Sequence, residues 1–313
     1  MSVARAFRFG GAQLKEPSWA EWADGARRLE ASGYDTLLIG DHFSPDFFAP
    51  VPALLAAALA TTTLRVGCTV FDNDFRHPAA LAKEIATVDV LSGGRVEFGI
   101  GAGWDKPEYD KVGINFDPPV LRVGRFEEAV HIIKGLWDDR LLTFSGKHYA
   151  ITEFDSQPKP LQRPHPPIFI GGGGKRLLSF AAREADIVGI LPKVHRNGAG
   201  PDTAEETEES VAQKVGWVRQ AAGERFAQVE LAMLMWAVAI TDDPQTAAET
   251  IAASTWRTGL GPDQILASPY FLIGSVDAIV DRLLEQRDRY GISYISVFDT
   301  SAFAPVVARL AGK

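Results

Sequence analysis

Asp41, His42 and Phe43 stand directly after a predicted strand, and this short segment carries the residues best suited to proton transfer. A histidine titrates near neutral pH, and a neighbouring carboxylate can tune it. His42 is therefore a candidate catalytic acid or base, with Asp41 as its neighbour. The alternative interpretation is a histidine that backbone groups hold at a strand end, and sequence position by itself leaves both open.

Gly171, Gly172, Gly173 and Gly174 form the most specific local pattern, because Lys175 and a second basic residue follow them at the start of a predicted helix. Successive backbone N–H groups at a helix N-terminus favour a bound phosphate or carboxylate. The pattern is not a Walker loop, since a phenylalanine takes the place of the first glycine of that motif. It predicts an anion site, and the alternative is a flexible loop without a ligand.

Another glycine-rich segment, residues 99–104, ends the predicted fourth strand. Glycines at alternate positions allow a flat ligand to approach the backbone closely. Glu108 and Tyr109 follow in the same loop, and they are either site residues or the start of a helix. Glycine after a strand is common, so this segment alone gives weak support for a ligand site.

The histidines and the single cysteine show no metal-ligand or nucleophile pattern. The six histidines have no H-x-x-x-H spacing, and one cysteine cannot form a C-x-x-C pair. No metal site is predicted. Cys68 lies in a predicted strand without a neighbouring base, and it is interpreted as a buried strand residue.

Strand-like and helix-like segments alternate along the chain. The predicted strands cover residues 7–13, 35–40, 64–70, 95–100, 167–171, 186–191, 229–240 and 292–298. The predicted helices run from a cap at Ser18 to a stop at Gly33, within 52–60, and over 78–91, 123–137, 175–184, 211–222, 244–255 and 277–290. Eight such units predict an α/β fold, a (β/α)8 TIM barrel with insertions, in one domain over 1–313.

The barrel prediction places the candidate residues at one end of the molecule, because the loops after the barrel strands build the active site. A doubly wound sheet is the alternative architecture. Its dinucleotide fingerprint is absent, since Trp104 stands where the third glycine of G-x-G-x-x-G belongs.

Two segments interrupt the alternation. The pattern in residues 139–166 predicts a small hairpin around Gly146, followed by a proline-rich stretch. This segment is an insertion, and the sequence does not determine at which end of the barrel it lies. Residues 193–209 are polar and contain glycine and proline, which favours a mobile loop and a candidate lid. The region 258–268 gives no clear pattern.

Composition excludes several classes of function. The net charge of −8 disfavours a generic nucleic-acid or anionic-membrane surface. The apolar runs 51–60 and 231–240 are shorter than the roughly 20 residues that span a bilayer. No export signal is read at the start of the chain. With one cysteine no internal disulfide can form, which favours a cytoplasmic location.

The chain resembles the bacterial luciferase-like superfamily of monooxygenases, and within it the branch that depends on the deazaflavin coenzyme F420. Several segments carry the resemblance, and their order and spacing extend it over essentially the whole chain. They are Gly40-Asp41-His42-Phe43, Arg76-His77-Pro78-Ala79, and residues 91–104, 167–174 and 181–186.

The resemblance implies a cofactor ring over the carboxyl ends of the strands, with His42 beside the reactive ring and Asp41 also on the cofactor. It implies a non-proline cis peptide bond between Thr69 and Val70 behind the ring. The family members are commonly homodimers, and hydride transfer between F420 and a small organic substrate is the implied reaction.

The resemblance also assigns the glycine-rich segments. The backbone around Ala102 and Gly103 would line the cofactor, and the glycine run at 171–174 would hold the phosphate of its tail. This agrees with the anion site that the residues themselves predict.

The chain departs from the sugar-phosphate dehydrogenases of this family at two positions. Trp104 stands where those enzymes have a glutamate, and Asp46 where they have a tryptophan. Sugar-phosphate oxidation is therefore doubtful, and Glu108 is the nearest replacement for the missing acid.

Two other functions stay open on this reading. An FMN-dependent monooxygenase would use reduced flavin from a partner reductase, and FMN shares the tricyclic ring, ribityl chain and phosphate of F420. A flavin-binding barrel without catalytic activity is the second alternative.

Overall fold

The computed structural model describes residues 5–254 and 259–313, and strands alternate with helices throughout these ranges. The strands are β1 Arg8–Ala12, β2 Thr36–Ile39, β3 Arg65–Cys68, β4 Phe71–Asp72, β5 Val96–Gly101, β6 Leu142–Ser145, β7 Ala150–Phe154, β8 Ile168–Gly172, β9 Ile187–Ile190, β10 Glu230–Leu234, β11 Ala237–Ile240, β12 Phe271–Gly274 and β13 Ile292–Val297. The helices are α1 Trp19–Ala31, α2 Pro50–Ala60, α3 Pro78–Leu91, α4 Lys106–Val112, α5 Pro119–Trp137, α6 Lys175–Glu184, α7 Glu208–Ala222, α8 Pro244–Ala252, α9 Pro262–Ala267, α10 Val276–Tyr290 and α11 Thr300–Leu310.

Eight of these strands close into a parallel barrel. β1 pairs with β2 and β13, and the ring continues through β3, β5, β8, β9 and β10 back to β13. Every residue of β2, β5 and β13 is buried, as parallel strands covered on both faces require. The prediction of a (β/α)8 TIM barrel is confirmed.

The predicted cap and stop of the first helix are confirmed. The Ser18 hydroxyl accepts the Glu21 backbone N–H at 3.3 Å, which satisfies one of the free amides at the start of α1. Gly33 follows the helix with a φ of +81°, a conformation that favours glycine after a helix end. Trp22 and Leu29 on this helix are buried against the barrel.

A cluster of charged side chains fills the barrel at the amino ends of its strands. Glu97 on β5 pairs with Arg8, and it also accepts from Arg65 Nε at 2.9 Å and from the Tyr294 hydroxyl at 3.0 Å. Arg8 also pairs with Glu230 at 2.8 Å. Because this end is filled by paired ions, the opposite end, where the strands finish, is left for a ligand.

The predicted seventh strand over 229–240 is wrong in its length. β10 ends at Leu234, and β11 begins at Ala237 and pairs with β12 instead of with the barrel. A barrel strand here spans only four to six residues, so a run of twelve cannot stay in the ring. The backbone N–H of Trp236 donates to the Tyr270 carbonyl at 2.8 Å, which turns the chain toward β12.

Other elements differ from the sequence-based boundaries. α5 begins at Pro119, four residues before the predicted start, because proline is well tolerated in a first helical turn. α8 ends at Ala252, earlier than the predicted 255. The last predicted position of that helix and the start of the 258–268 region lie outside the described residues. The prediction did not include β4, β12 and α11, whereas α4 matches the helix start that was one of two alternatives for Glu108 and Tyr109.

The two interrupting segments contain a hairpin and a loop. β6 and β7 make an antiparallel hairpin around Gly146, and Glu128 on α5 accepts from the backbone amides of residues 147–149. The 193–209 segment is a loop with a short 3-10 turn, and its last two residues already belong to α7. In the two described ranges, the helices are too short or too polar to cross a bilayer.

Candidate active site

His42 and Glu108 meet at the carboxyl end of the barrel. His42 follows β2, Glu108 lies in the first turn of α4 after β5, and Glu108 Oε2 lies 3.0 Å from His42 Nδ1. The other carboxylate oxygen accepts the Ser44 backbone N–H at 3.1 Å. A carboxylate can only accept, so Nδ1 carries the proton. Within the described residues His42 Nε2 has no hydrogen-bond partner, which leaves it available to a ligand.

Two aromatic rings surround His42. The Phe47 ring centre lies 5.1 Å from that of His42, and the Trp104 ring meets it edge-on at 5.8 Å. Trp104 is 36% exposed, so its ring borders solvent beside the histidine. The loops after β2 and β5 thus supply both an acid–base pair and an apolar wall.

Three ligand-type side chains converge at the same place. A ring nitrogen of His42 and carboxylate oxygens of Asp105 and Glu108 lie within 4.8 Å of one another. Partial burial raises the pKa of the Asp105 carboxyl, and the neighbouring Glu108 adds to this effect. The group could accept a divalent cation, and its members come from two loops, which is why spacing along the chain predicted no metal site.

Asp41 lies in the structure with partners of its own. Its carboxylate pairs with Arg76 Nη1 at 2.5 Å and accepts the Asp72 backbone N–H at 3.0 Å. The side chain is buried. In the sequence, Arg76 stood out only as the first residue of the segment 76–79 that carries the family resemblance. The structure shows that this segment contacts the segment that contains Asp41.

The peptide bond between Thr69 and Val70 is cis, which confirms the implied position. It follows directly after Cys68, the last residue of β3. Cys68 is buried, as predicted, and burial raises the pKa of its thiol. The cis bond lies beside β5, since a Cβ on Gly101 would stand 2.6 Å from Val70 Cγ2. A Cβ at position 101 would therefore force the Val70 side chain to shift.

Gly103 permits close packing behind the site. Its φ is +71°, and a Cβ there would lie 2.0 Å from the Tyr109 hydroxyl and 2.6 Å from Asp72 Oδ2. The Tyr109 hydroxyl donates to Asp72 at 2.7 Å. Burial is the main cause that raises the pKa of Asp72 to about 7, although hydrogen bonds from the Asp74 amide and from Tyr109 oppose it.

The strand before the glycine run extends one residue beyond its predicted end at Gly171. Gly171 and Gly172 belong to β8, and only Gly173 and Gly174 connect it to α6. Gly174 is the N-cap of α6 and supplies no side-chain acceptor, and a Cβ on it would meet nothing within 4 Å. In the described residues no side chain caps the first amides of α6, and the exposed Lys175 is the first residue of this helix.

Arg176, the second basic residue of the predicted anion site, is already held in an ion pair. The guanidinium of Arg176 pairs with Glu127 on α5 at 2.6 Å. Gly173 packs tightly, since a Cβ there would lie 2.4 Å from the backbone N of Lys193. The segment after β9 therefore packs directly against Gly173.

The candidate lid reaches across to the loop that carries Trp104. Residue Gly198 has a φ of +73°, and a Cβ on it would lie 2.5 Å from Lys106 Cβ and 2.8 Å from the Trp104 carbonyl oxygen. At the base of this loop, Glu205 pairs with Lys193 at 2.5 Å. The segment thus lies over the edge of the site and is fixed at both ends.

Arg122 is a functional candidate that sequence reasoning missed. Its guanidinium donates to the carbonyl oxygens of Ala102, at 3.0 Å, and of Gly103. Arg122 stands on α5, some twenty positions along the chain from the loop it holds. A basic residue in a helix that is otherwise amphipathic gives no local signal of this role.

The family model of the luciferase-like monooxygenases matches residues 1–265 of the chain. Among curated relatives, an FMNH2-dependent dimethylsulfone monooxygenase of Pseudomonas putida is 32% identical over 51% of this chain and 46% of its own. An F420-dependent glucose-6-phosphate dehydrogenase of Kineococcus radiotolerans is 33% identical over 59% of this chain and 55% of its own. The chain thus spans about half the length of these relatives.

Solved structures share the fold. The coenzyme F420-dependent tetrahydromethanopterin reductase of Methanopyrus kandleri superposes with a TM-score of 0.76 at 18% identity, covering 98% of each chain. The long-chain alkane monooxygenase LadA superposes with a TM-score of 0.76 at 14% identity, covering 98% of this chain and 92% of its own. The relatives therefore include both F420-dependent and flavin-dependent enzymes, and the chain belongs to the luciferase-like monooxygenase family of oxidoreductases.

Proposed function

We propose that this protein transfers a hydride between coenzyme F420 and a small organic substrate. The observation that carries the proposal is the pairing of His42 Nδ1 with Glu108 at 3.0 Å, which leaves Nε2 for a substrate proton. Similarity to an F420-dependent dehydrogenase supports the choice of cofactor.

The residues at the strand ends fit a ring with a phosphate-bearing tail. The uncapped amides at the start of α6 and the exposed Lys175 suit a phosphate. Gly101 and Gly103 let the side chains of Val70 and Tyr109 pack against the backbone beside the cis bond at Thr69–Val70. When bound, the deazaflavin ring would supply the site that accepts or donates the hydride.

The side chains of this protein would handle the proton and the water. His42 Nε2 would take a proton from the substrate heteroatom as the hydride leaves, or return it in the reverse direction. Glu108 would hold the ring of His42 in one tautomer, and Trp104 would form a wall for the substrate. The loop around Gly198 would exclude water, which strengthens electrostatic interactions in the site.

Asp41 has a supporting role in this proposal. Both of its carboxylate oxygens already accept hydrogen bonds from Arg76, so it fixes the loop that carries His42 and does not exchange the proton. Asp41 would contact the cofactor through the carboxylate lone pairs that do not accept hydrogen bonds from Arg76.

An FMN-dependent monooxygenase is the second candidate, because the dimethylsulfone monooxygenase matches this chain at a similar identity. Titration of the protein with F420 and FMN, each oxidised and reduced, separates the two through tryptophan fluorescence. Micromolar binding of F420 with much weaker FMN supports hydride transfer. Preference for reduced FMN supports the monooxygenase, and binding of neither contradicts both and leaves a barrel without a flavin function.

We further propose that the protein works as a homodimer in the cytoplasm. The resemblance to dimeric family members supports the first statement, and the single buried cysteine suits a reducing compartment. Light scattering after size exclusion tests the dimer directly, since a mass near the 34.0 kDa of one chain would contradict it.

A further inference from the structure

Arg122 is a buried cation whose partners are not carboxylates. Only 7% of its surface is exposed. Its guanidinium donates to the carbonyl oxygens of Ala102, Gly103 and Asp117, the last through Nε at 2.9 Å. It lies over the Phe116 ring, 3.9 Å from the ring centre. In the part of the chain that the structure describes, its partners are thus backbone oxygens and one ring.

A buried charge without a counter-charge costs free energy unless its surroundings compensate it. Carbonyl oxygens compensate a cation only in part, because they carry partial charges. Packing alone does not require an arginine at this position, since an apolar side chain could fill the same volume. Arg122 is therefore placed where its charge has a use beyond packing.

The contacts of Arg122 fix the direction of two peptide groups. The Ala102 carbonyl and the Gly103 N–H belong to one peptide group. The Gly103 carbonyl and the Trp104 N–H belong to the next one. In a planar trans peptide the N–H points opposite to the C=O. Because both carbonyls point at Arg122, both N–H groups point away from α5.

These two amides have no acceptor of their own. Neither the Gly103 nor the Trp104 N–H donates to any group in residues 5–254 or 259–313. The positive φ of Gly103 lets successive N–H groups turn to one side, as in the backbone nests that bind anions. The Trp104 ring next to them touches His42, so the pair of amides belongs to the active-site loop.

We propose that Arg122 is a positioning residue that presents the Gly103 and Trp104 amides to an electron-rich edge of the bound cofactor ring, and that it favours the reduced ring over the oxidised one. The inference rests on the proposed function. A hydride carries one negative charge, so a ring that receives it gains that charge, while the accompanying substrate proton goes to His42. Preorganised donors backed by a cation stabilise such a charge without reorganising.

The test compares dissociation constants of oxidised and reduced F420 and FMN for the wild type, Arg122→Met and Arg122→Lys. Arg140→Met is the matched control, because Arg140 is an exposed arginine whose ion pair among the described residues is with Asp138. We expect Arg122→Met to weaken binding of the reduced form about tenfold more than that of the oxidised form. For a two-electron couple this corresponds to a potential change of about 30 mV.

The outcomes separate the two proposals. Equal weakening of both forms, or no change, in Arg122→Met would overturn this inference while the proposed function stands. If the wild type binds neither cofactor, the proposed function fails and this inference fails with it. Lysine keeps the charge but cannot hold both carbonyls, so Arg122→Lys should show about a threefold preferential loss. Should Arg122→Met not fold, an unchanged preference in Arg122→Lys overturns the inference.

Discussion

Glu108 Oε2 lies 3.0 Å from His42 Nδ1 although the two residues are 66 positions apart in the chain. The same carboxylate also holds the Ser44 amide, so Glu108 fixes both the ring and the backbone of the loop after β2. In the proposed reaction this makes Glu108 the group that orients His42.

The first prediction concerns this pair. Glu108→Gln keeps the size of the side chain but can present an amide N–H to His42, so His42 should lose its fixed tautomer. Nitrogen NMR of labelled histidine checks the tautomer. Turnover should fall at least about tenfold, and in His42→Ala about a hundredfold or more. Asp46→Asn on the same loop is the control, and a full rate with one tautomer in Glu108→Gln would contradict the assignment.

The second prediction uses two glycines of similar conformation. Gly103 and Gly113 have φ values of +71° and +74°, but only a Cβ at 103 would clash, 2.0 Å from the Tyr109 hydroxyl. Gly113→Ala should cost about 1–2 kcal/mol for the left-handed backbone alone. Gly103→Ala should cost more and also weaken cofactor binding. Urea unfolding of both variants measures the difference, and equal losses would show that the clash is relieved.

The third prediction concerns stability at the opposite end of the barrel. Glu97 carries a side chain that is 4% exposed and faces Arg8 and Arg65. Glu97→Gln removes the carboxylate from Arg65 and leaves Arg8 with Glu230, and it should lower the free energy of unfolding by about 3 kcal/mol.

The control for this variant is the exposed pair of Arg27 and Asp24, 2.9 Å apart. Asp24→Ala should change the free energy of unfolding by about 0.5 kcal/mol or less, because water screens the pair. Guanidinium unfolding at neutral pH compares the two. A loss in Glu97→Gln as small as that in Asp24→Ala would show that the buried cluster does not stabilise the fold.

The fourth prediction is a pH dependence that comes from Asp72. Burial raises the pKa of this carboxyl from 3.8 to about 7 in the folded protein. Between these values the folded state keeps a proton that the unfolded state has released, so stability falls as the pH rises from about 4 to about 7. The loss should be about 4 kcal/mol, because each pKa unit corresponds to about 1.4 kcal/mol.

Asp72→Asn removes this titration and retains the size of the side chain. Its thermal unfolding temperature should depend less on pH than that of the wild type, and the variant should gain relative stability at pH 8. The neighbouring charged groups, Asp41 and Asp74, stay in place. A pH profile of the variant that parallels the wild type would assign the dependence to one of them instead.

The alternation of apolar runs and helix signals determined the barrel. Parallel strands buried on both faces read as continuous apolar segments, and caps such as Ser18 and stops such as Gly33 act within a few residues. The same locality explains the error over 229–240: one apolar run looks like one strand, and only the geometry of the closed ring divides it into β10 and β11.

The sequence also indicated which segments approach the site, directly through His42 and, through the family resemblance, at Ala102, Gly103 and the Thr69–Val70 bond. It could not determine which side chains meet there. Glu108 reaches His42, Arg76 reaches Asp41, and Arg122 reaches the Gly103 carbonyl only because barrel closure brings the ends of separate strands together. Such contacts depend on three-dimensional distances between loops, and no pattern of neighbours along the chain records those distances.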